Sequence, residues 1–148
     1  MDVLTFLKDE HDEAKAVFKK LEGAKGAEAQ RLWDQLSSML SLHEELEETY
    51  FYPALRQSPK TEDLILEGYQ EHHVMDVLIG EIAALKPSDE AWEPKIKVLQ
   101  ENTEHHIEEE EEELFPKVRK IWDSEMRQKV GKEMEQHKAE AKKRQRAA

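Results

Sequence analysis

A chain of 148 residues with 38% charged side chains, a net charge of −12 and no cysteine can build one domain with a hydrophobic core. It cannot form disulfides, thiolate metal sites, iron–sulfur clusters or cysteine nucleophiles. The charge argues against nucleic-acid or anionic-membrane partners, whose phosphates would repel it, and favours cations near the surface.

Five glycines and five prolines, set among abundant Ala, Leu, Glu, Lys and Gln, point to long helices. The acidic start MDVLTFLKDEHDEAK does not read as a signal peptide. No apolar run approaches the ~18 residues of a membrane span, so a cytoplasmic location is expected. The first helix is predicted between a cap at Asp2 and GAKG at 23–26, with Leu4, Leu7, His11, Ala14, Phe18 and Leu21 on one stripe. The second puts Leu36, Met39, Leu40, His43, Glu47 and Tyr50 on one face and ends before RQSPKTED at 56–63. LKPSDEAWEP at 85–94 separates the third helix from the fourth, which starts near Pro94. KIWDSEM at 120–126 breaks the chain before a basic-tailed helix capped by Asp123 or Ser124. Trp33, Trp92 and Trp122 read as packing residues. His137 reads as solvent-exposed, and the tail HKAEAKKRQRAA as a fraying basic helix, with electrostatic docking on the acidic body as an alternative that no sequence feature supports. The fold expected is all-α: an up-down-up-down four-helix bundle over 1–120, with 121–148 as a C-terminal helix and tail.

The chain repeats itself. KDEHDEAKAVF at 8–18 parallels YQEHHVMDVLI at 69–79, and HEELEETYFYP at 43–53 parallels HIEEEEEELFP at 106–116. The bundle is therefore two repeated hairpins, each offering one histidine and then an HxxxE pair. Pro53 and Pro116 fall late in their helices, where each is expected to kink or end the helix. Residues i and i+4 lie about 40° apart on a helix, so each HxxxE pair projects inward together. His11, His43, Glu47, His72, His106 and Glu110 form one predicted cluster. Four imidazoles and two carboxylates suit iron, manganese or zinc better than calcium, and two carboxylates can bridge two metals.

Within Glu108–Glu113 the repeat selects Glu110, the match to Glu47. Glu113 is a weaker candidate on the same face, and Glu108, Glu109, Glu111 and Glu112 read as solvated. His105 competes with His106, and His73 with His72. Tyr50, seven residues after His43, is a further candidate neighbour or ligand of the metal.

The order His … HxxxE … His … HxxxE, with HHIEEEEEELFP as its second half, resembles the hemerythrin-like, or HHE cation-binding, domain family. The resemblance implies a four-helix bundle with a non-haem di-iron centre, oxo-, hydroxo- or carboxylate-bridged. It implies partners such as O2, peroxide or nitric oxide, and the same six ligands. Oxygen-carrying hemerythrins place another histidine four residues after the third ligand histidine. Here that position is Asp76, which counts against reversible oxygen carriage. Two other readings compete: a metal-independent acidic helical module for a basic protein partner, and a zinc or manganese variant.

Overall fold

The structure is a computed structural model describing residues 1–147. Helix α1 (Val3–Leu21) and α2 (Gly26–Leu46) form the first hairpin. The chain continues through a wide turn (Glu47–Phe51) into the short α3 (Tyr52–Arg56). Helices α4 (Glu62–Ala83) and α5 (Trp92–Glu109) form the second hairpin. An equivalent wide turn (Glu110–Leu114) leads into α6 (Phe115–Ile121), and α7 (Ser124–Ala147) follows. Contacts of α1 with α5 and of α2 with α4 close the four-helix ring. Among the described residues, no helix is long and apolar enough to cross a membrane.

The ends are set by local chemistry. Asp2 Oδ1 accepts from the Leu4 amide at 2.8 Å, satisfying a donor that the first helical turn leaves free. Gly23 (φ 75°) and Gly26 (φ 57°) take the left-handed turn that joins α1 to α2. Asp123 caps α7, accepting from the Met126 amide at 2.8 Å.

The apolar core is split into two layers. One contains Phe51, Leu55, Phe115, Trp122 and Met134; the other contains Phe18, Leu36, Ile82 and the edge-on pair Trp33–Trp92. Each fully buried side chain of this size contributes about 1.5–3 kcal/mol. Between the layers lies the polar centre, so its groups are held by packing on both sides.

Helix α7 is not a fraying tail. It lies along α1 and α2. Arg127 Nε meets Asp2 Oδ2 at 2.7 Å, and Lys138 Nζ meets Glu10 Oε2 at 2.6 Å. Gly131 faces the backbone of Met1 and Val3 so closely that a Cβ there would collide with it. His137 is half-buried rather than solvent-exposed, with Nδ1 3.0 Å from the Tyr50 hydroxyl. A basic helix docks here because α1 and α2 present Glu10, Glu13 and Glu45 to it.

Candidate metal centre

His11, His43, Glu47, His72, His106 and Glu110 meet at one centre between the core layers. Glu47 is fully buried, and the other five are buried or nearly so. Their inward spacing follows from the helical repeat, because the two HxxxE pairs lie at the C-terminal ends of α2 and α5, at equivalent depth.

Each histidine is gripped from outside by a carboxylate. His11 Nδ1 meets Glu111 at 2.7 Å, His43 Nδ1 meets Glu10 at 2.9 Å, His72 Nδ1 meets Glu48 at 2.8 Å and His106 Nδ1 meets Glu71 at 2.6 Å. An ionised carboxylate only accepts, so Nδ1 donates in each pair and Nε2 turns inward. The inward nitrogens face oxygens. Glu47 Oε1 lies 3.0 Å from His72, 3.4 Å from His43 and 3.7 Å from His106. The two oxygens of Glu110 lie 3.2 Å from His11 and 3.2 Å from His106. A lone pair facing a lone pair needs a proton or a cation between them. His11 Nε2, His43 Nε2, Glu47 Oε2 and Glu110 Oε1 are buried without a hydrogen-bond partner among the described residues. Buried polar atoms left so are costly, and a cation would satisfy all four.

Among protein groups alone, protons fill that role. Burial opposes charging of His43, but Glu47 and Glu10 outweigh it and push its pKa up to about 10. Burial likewise opposes charging of His106, which Glu110 and Glu47 raise well above the usual histidine range. Burial would raise Glu47, yet His43, His106 and His72 hold it well below the usual carboxylate range. Metal would displace these protons, so metal uptake and proton release are coupled. Donor geometry supports two positions. His11, His43, Glu47 and Glu110 bring donor atoms within 4.8 Å of one another, and Glu47, His72 and His106 do the same.

The arrangement has an approximate two-fold symmetry that exchanges the hairpins. Glu10 and Glu71 each hold a histidine of their own hairpin, while Glu48 and Glu111 each hold the first histidine of the other hairpin. None of these four carriers was assigned a role from sequence, and Glu111 was expected to be solvated. The repeat did carry a signal: the doublets Glu47–Glu48 and Glu110–Glu111, and the acid preceding His11 and His72, recur in both halves.

Tyr50 does not reach the centre. Tyr52 does, donating its hydroxyl to Glu110 Oε2 at 2.6 Å and stacking on His72 with ring centroids 5.2 Å apart. The reason is the wide turn. The Tyr52 amide bonds to the Glu47 carbonyl, five residues back, and the Phe115 amide bonds to that of Glu110 in the same way. These π-turns each add one residue before Pro53 and Pro116, where an ordinary helix would clash with the proline ring. The residue at Glu+5 then faces inward, and a count made at α spacing selects the wrong tyrosine. Phe115 takes the equivalent place against His11, with centroids 6.1 Å apart, so the hydroxyl occurs in one half only. Glu113 and His73 point to solvent. His105 is exposed on the outer side, 3.8 Å from Glu71 and 3.7 Å from Glu109.

Residues 2–118 match the hemerythrin HHE cation-binding domain. The chain belongs to that family. A hemerythrin HHE domain-containing protein from Mycobacterium kansasii, known from a crystal structure, shares its fold with a TM-score of 0.81. The two are 24% identical, over 99% of this chain and 93% of that one. A curated protein of Nostoc sp. described as a DNA nickase is 25% identical over 145 residues. The match takes in 97% of this chain but 41% of that protein, so the chain spans less than half the length of this relative. In this HHE domain, α7 lies beyond the matched residues.

Space for the Tyr52 hydroxyl is provided by Gly68 on α4, where an added Cβ would lie 2.8 Å from that oxygen. Gly68→Ala is expected to push the ring off His72 and to break the Tyr52–Glu110 hydrogen bond. The loss expected is about 1–3 kcal/mol, the cost of unpairing a buried polar group plus overpacking. Thermal unfolding of Gly68→Ala compared with the double variant Gly68→Ala/Tyr52→Phe checks it, since removing the hydroxyl should recover part of the loss.

Proposed function

We propose that this chain is a non-haem di-iron protein that binds or reacts with dioxygen, peroxide or nitric oxide. The observation that supports it best is the set of buried, partnerless nitrogen and carboxylate oxygen atoms, whose histidines are already locked with Nε2 inward. His11, His43, Glu47 and Glu110 would hold one metal, and His72 and His106 would hold the other together with Glu47. Nitrogen and oxygen donors of this kind suit iron, and also zinc or manganese. Bound iron would supply redox chemistry and open positions for small oxygen species. The protein supplies four carboxylates that orient the imidazoles and make them better donors. It also supplies two apolar layers that limit water, and a tyrosine hydroxyl beside one metal position only. Partners in this reading are small molecules, with no nucleic acid and no membrane. The nicking activity named for the longer relative is not carried over, because a net charge of −12 repels a phosphate backbone.

The test is elemental analysis of the aerobically purified protein, followed by absorption spectra on exposure to peroxide and nitric oxide. About two irons per chain, the stoichiometry of dinuclear carboxylate sites in helix bundles, together with a spectral change, are expected. No iron even after anaerobic ferrous reconstitution would overturn the reading.

A further inference from the structure

The four carboxylates that hold the histidines are not equivalent. Glu10 carries a second partner: while Oε1 accepts from His43 Nδ1 at 2.9 Å, Oε2 lies 2.6 Å from Lys138 Nζ. Among the described residues, no lysine or arginine forms an ion pair with Glu48, Glu71 or Glu111. The Lys138–Glu10 pair is well shielded, with side-chain exposures of 19% and 11%, so water and salt screen it less than a surface pair. The ammonium also sits 5.5 Å over the Phe6 ring, which fixes its position further. Lys138, Glu10, His11, His43 and His106 all line a cavity of about 690 Å3 bounded by α1, α2, α5 and α7.

We propose that Lys138 is a positioning residue for the metal centre, acting through Glu10 on His43. The proposal rests on the metal reading above and goes beyond it by making α7 part of the centre. A carboxylate that accepts from Nδ1–H pushes electron density into the imidazole and strengthens Nε2 as a donor. A lysine on the other oxygen draws on the same carboxylate and weakens that push. His43 is therefore less electron-rich than Glu10 alone would make it, and the metal it serves is the more easily reduced. The same ammonium stands at the wall of the cavity through which small molecules would approach His11 and His43.

The experiment measures the midpoint potential and iron content of the full-length, iron-loaded protein for Lys138→Met, Glu10→Gln, the double variant and Lys138→Arg. Lys138→Met is expected to keep the wild-type iron content and to shift the potential down, favouring the ferric state by about tenfold. Glu10→Gln is expected to shift it up. In the Glu10→Gln background, Lys138→Met is expected to change the potential far less than in the wild type, because its route to His43 has gone. Lys138→Arg is expected to stay near the wild-type value. An equal shift in both backgrounds would show that the lysine acts as a distant charge and would overturn the proposal, as would no shift at all. If the wild-type protein takes up no iron, the metal reading itself has failed and this proposal falls with it. Normal iron uptake with additive shifts would overturn the role of Lys138 alone.

Discussion

Glu47→Gln is expected to cut the iron content from about two per chain to about one or less and to lower stability in the metal-free protein as well. Glu47 is the one side chain shared by both donor groups, and its Oε1 lies within 3.7 Å of three histidines. It has no exposure to water. Among protein groups alone its charge balances imidazolium protons on His43 and His106. Removing one partner of a buried ionic set leaves the others uncompensated and costs about 3–5 kcal/mol. For a chain of this length that is a fall in melting temperature of about 10 °C. Glu112→Gln, in the exposed part of the six-glutamate run, is the control and should stay within about 0.5 kcal/mol of wild type. Calorimetry of both variants, with and without iron, checks the result. A Glu47→Gln protein that retains its full iron content would remove Glu47 from the shared position.

Glu44→Gln is expected to stabilise the protein, and more so at alkaline pH. Glu44 is 5% exposed, and one of its oxygens has no hydrogen-bond partner among the described residues. Burial, and then the Asp76 carboxylate, push its pKa up to about 10 from an ordinary 4.5. A carboxyl whose folded pKa is raised binds a proton on folding throughout that interval. Its contribution is therefore most favourable below about pH 4.5 and is lost as pH rises towards 10, by at most ~1.4 kcal/mol per pH unit. Glutamine keeps the shape and carries no such proton linkage. At pH 8 a gain of about 2 kcal/mol is expected, after allowing for relaxation around the site. Urea unfolding of wild type and variant at pH 6 and pH 8 checks it: the difference should widen as pH rises. Subtracting the two curves cancels His43, whose raised pKa makes the metal-free protein lose stability over the same alkaline range. A constant difference would mean that Glu44 is ionised in the folded protein.

Asp76 occupies the position where oxygen carriers have a further histidine, and its effect here is on Glu44 rather than on the centre. That substitution was legible in the sequence, as were the bundle, the two hairpins and the gathering of six residues at one depth. The legibility came from repetition. A single HxxxE pair says little, but two at matched positions, each preceded by a histidine about 30 residues earlier along an antiparallel hairpin, leave few packings that do not bring them together. The repeat also picked Glu110 out of six identical neighbours. What stayed hidden depended on contacts between helices. Glu111 holds a histidine 100 residues away, and a run of glutamates has no hydrophobic periodicity to show which member turns inward. Tyr52 was hidden by a change of helical pitch, which prolines at 53 and 116 hint at but do not locate. The docking of α7 was hidden because a charged helix that pairs with charged neighbours has the same composition as a solvated one.

The crossing of the outer carboxylates has a consequence for how the chain can come apart. Glu48 reaches from the first hairpin to His72, and Glu111 reaches from the second to His11. Cut at the turn between α3 and α4, the protein becomes two half-chains, each with a complete HxxxE pair and each missing the acid that orients its first histidine. Neither half has a finished set of donors, and each has what the other lacks. Such halves should recombine when mixed, and metal should drive the recombination. In the intact chain the same reciprocity means that neither hairpin can peel away alone without stripping a partner from a buried imidazole in the hairpin left behind.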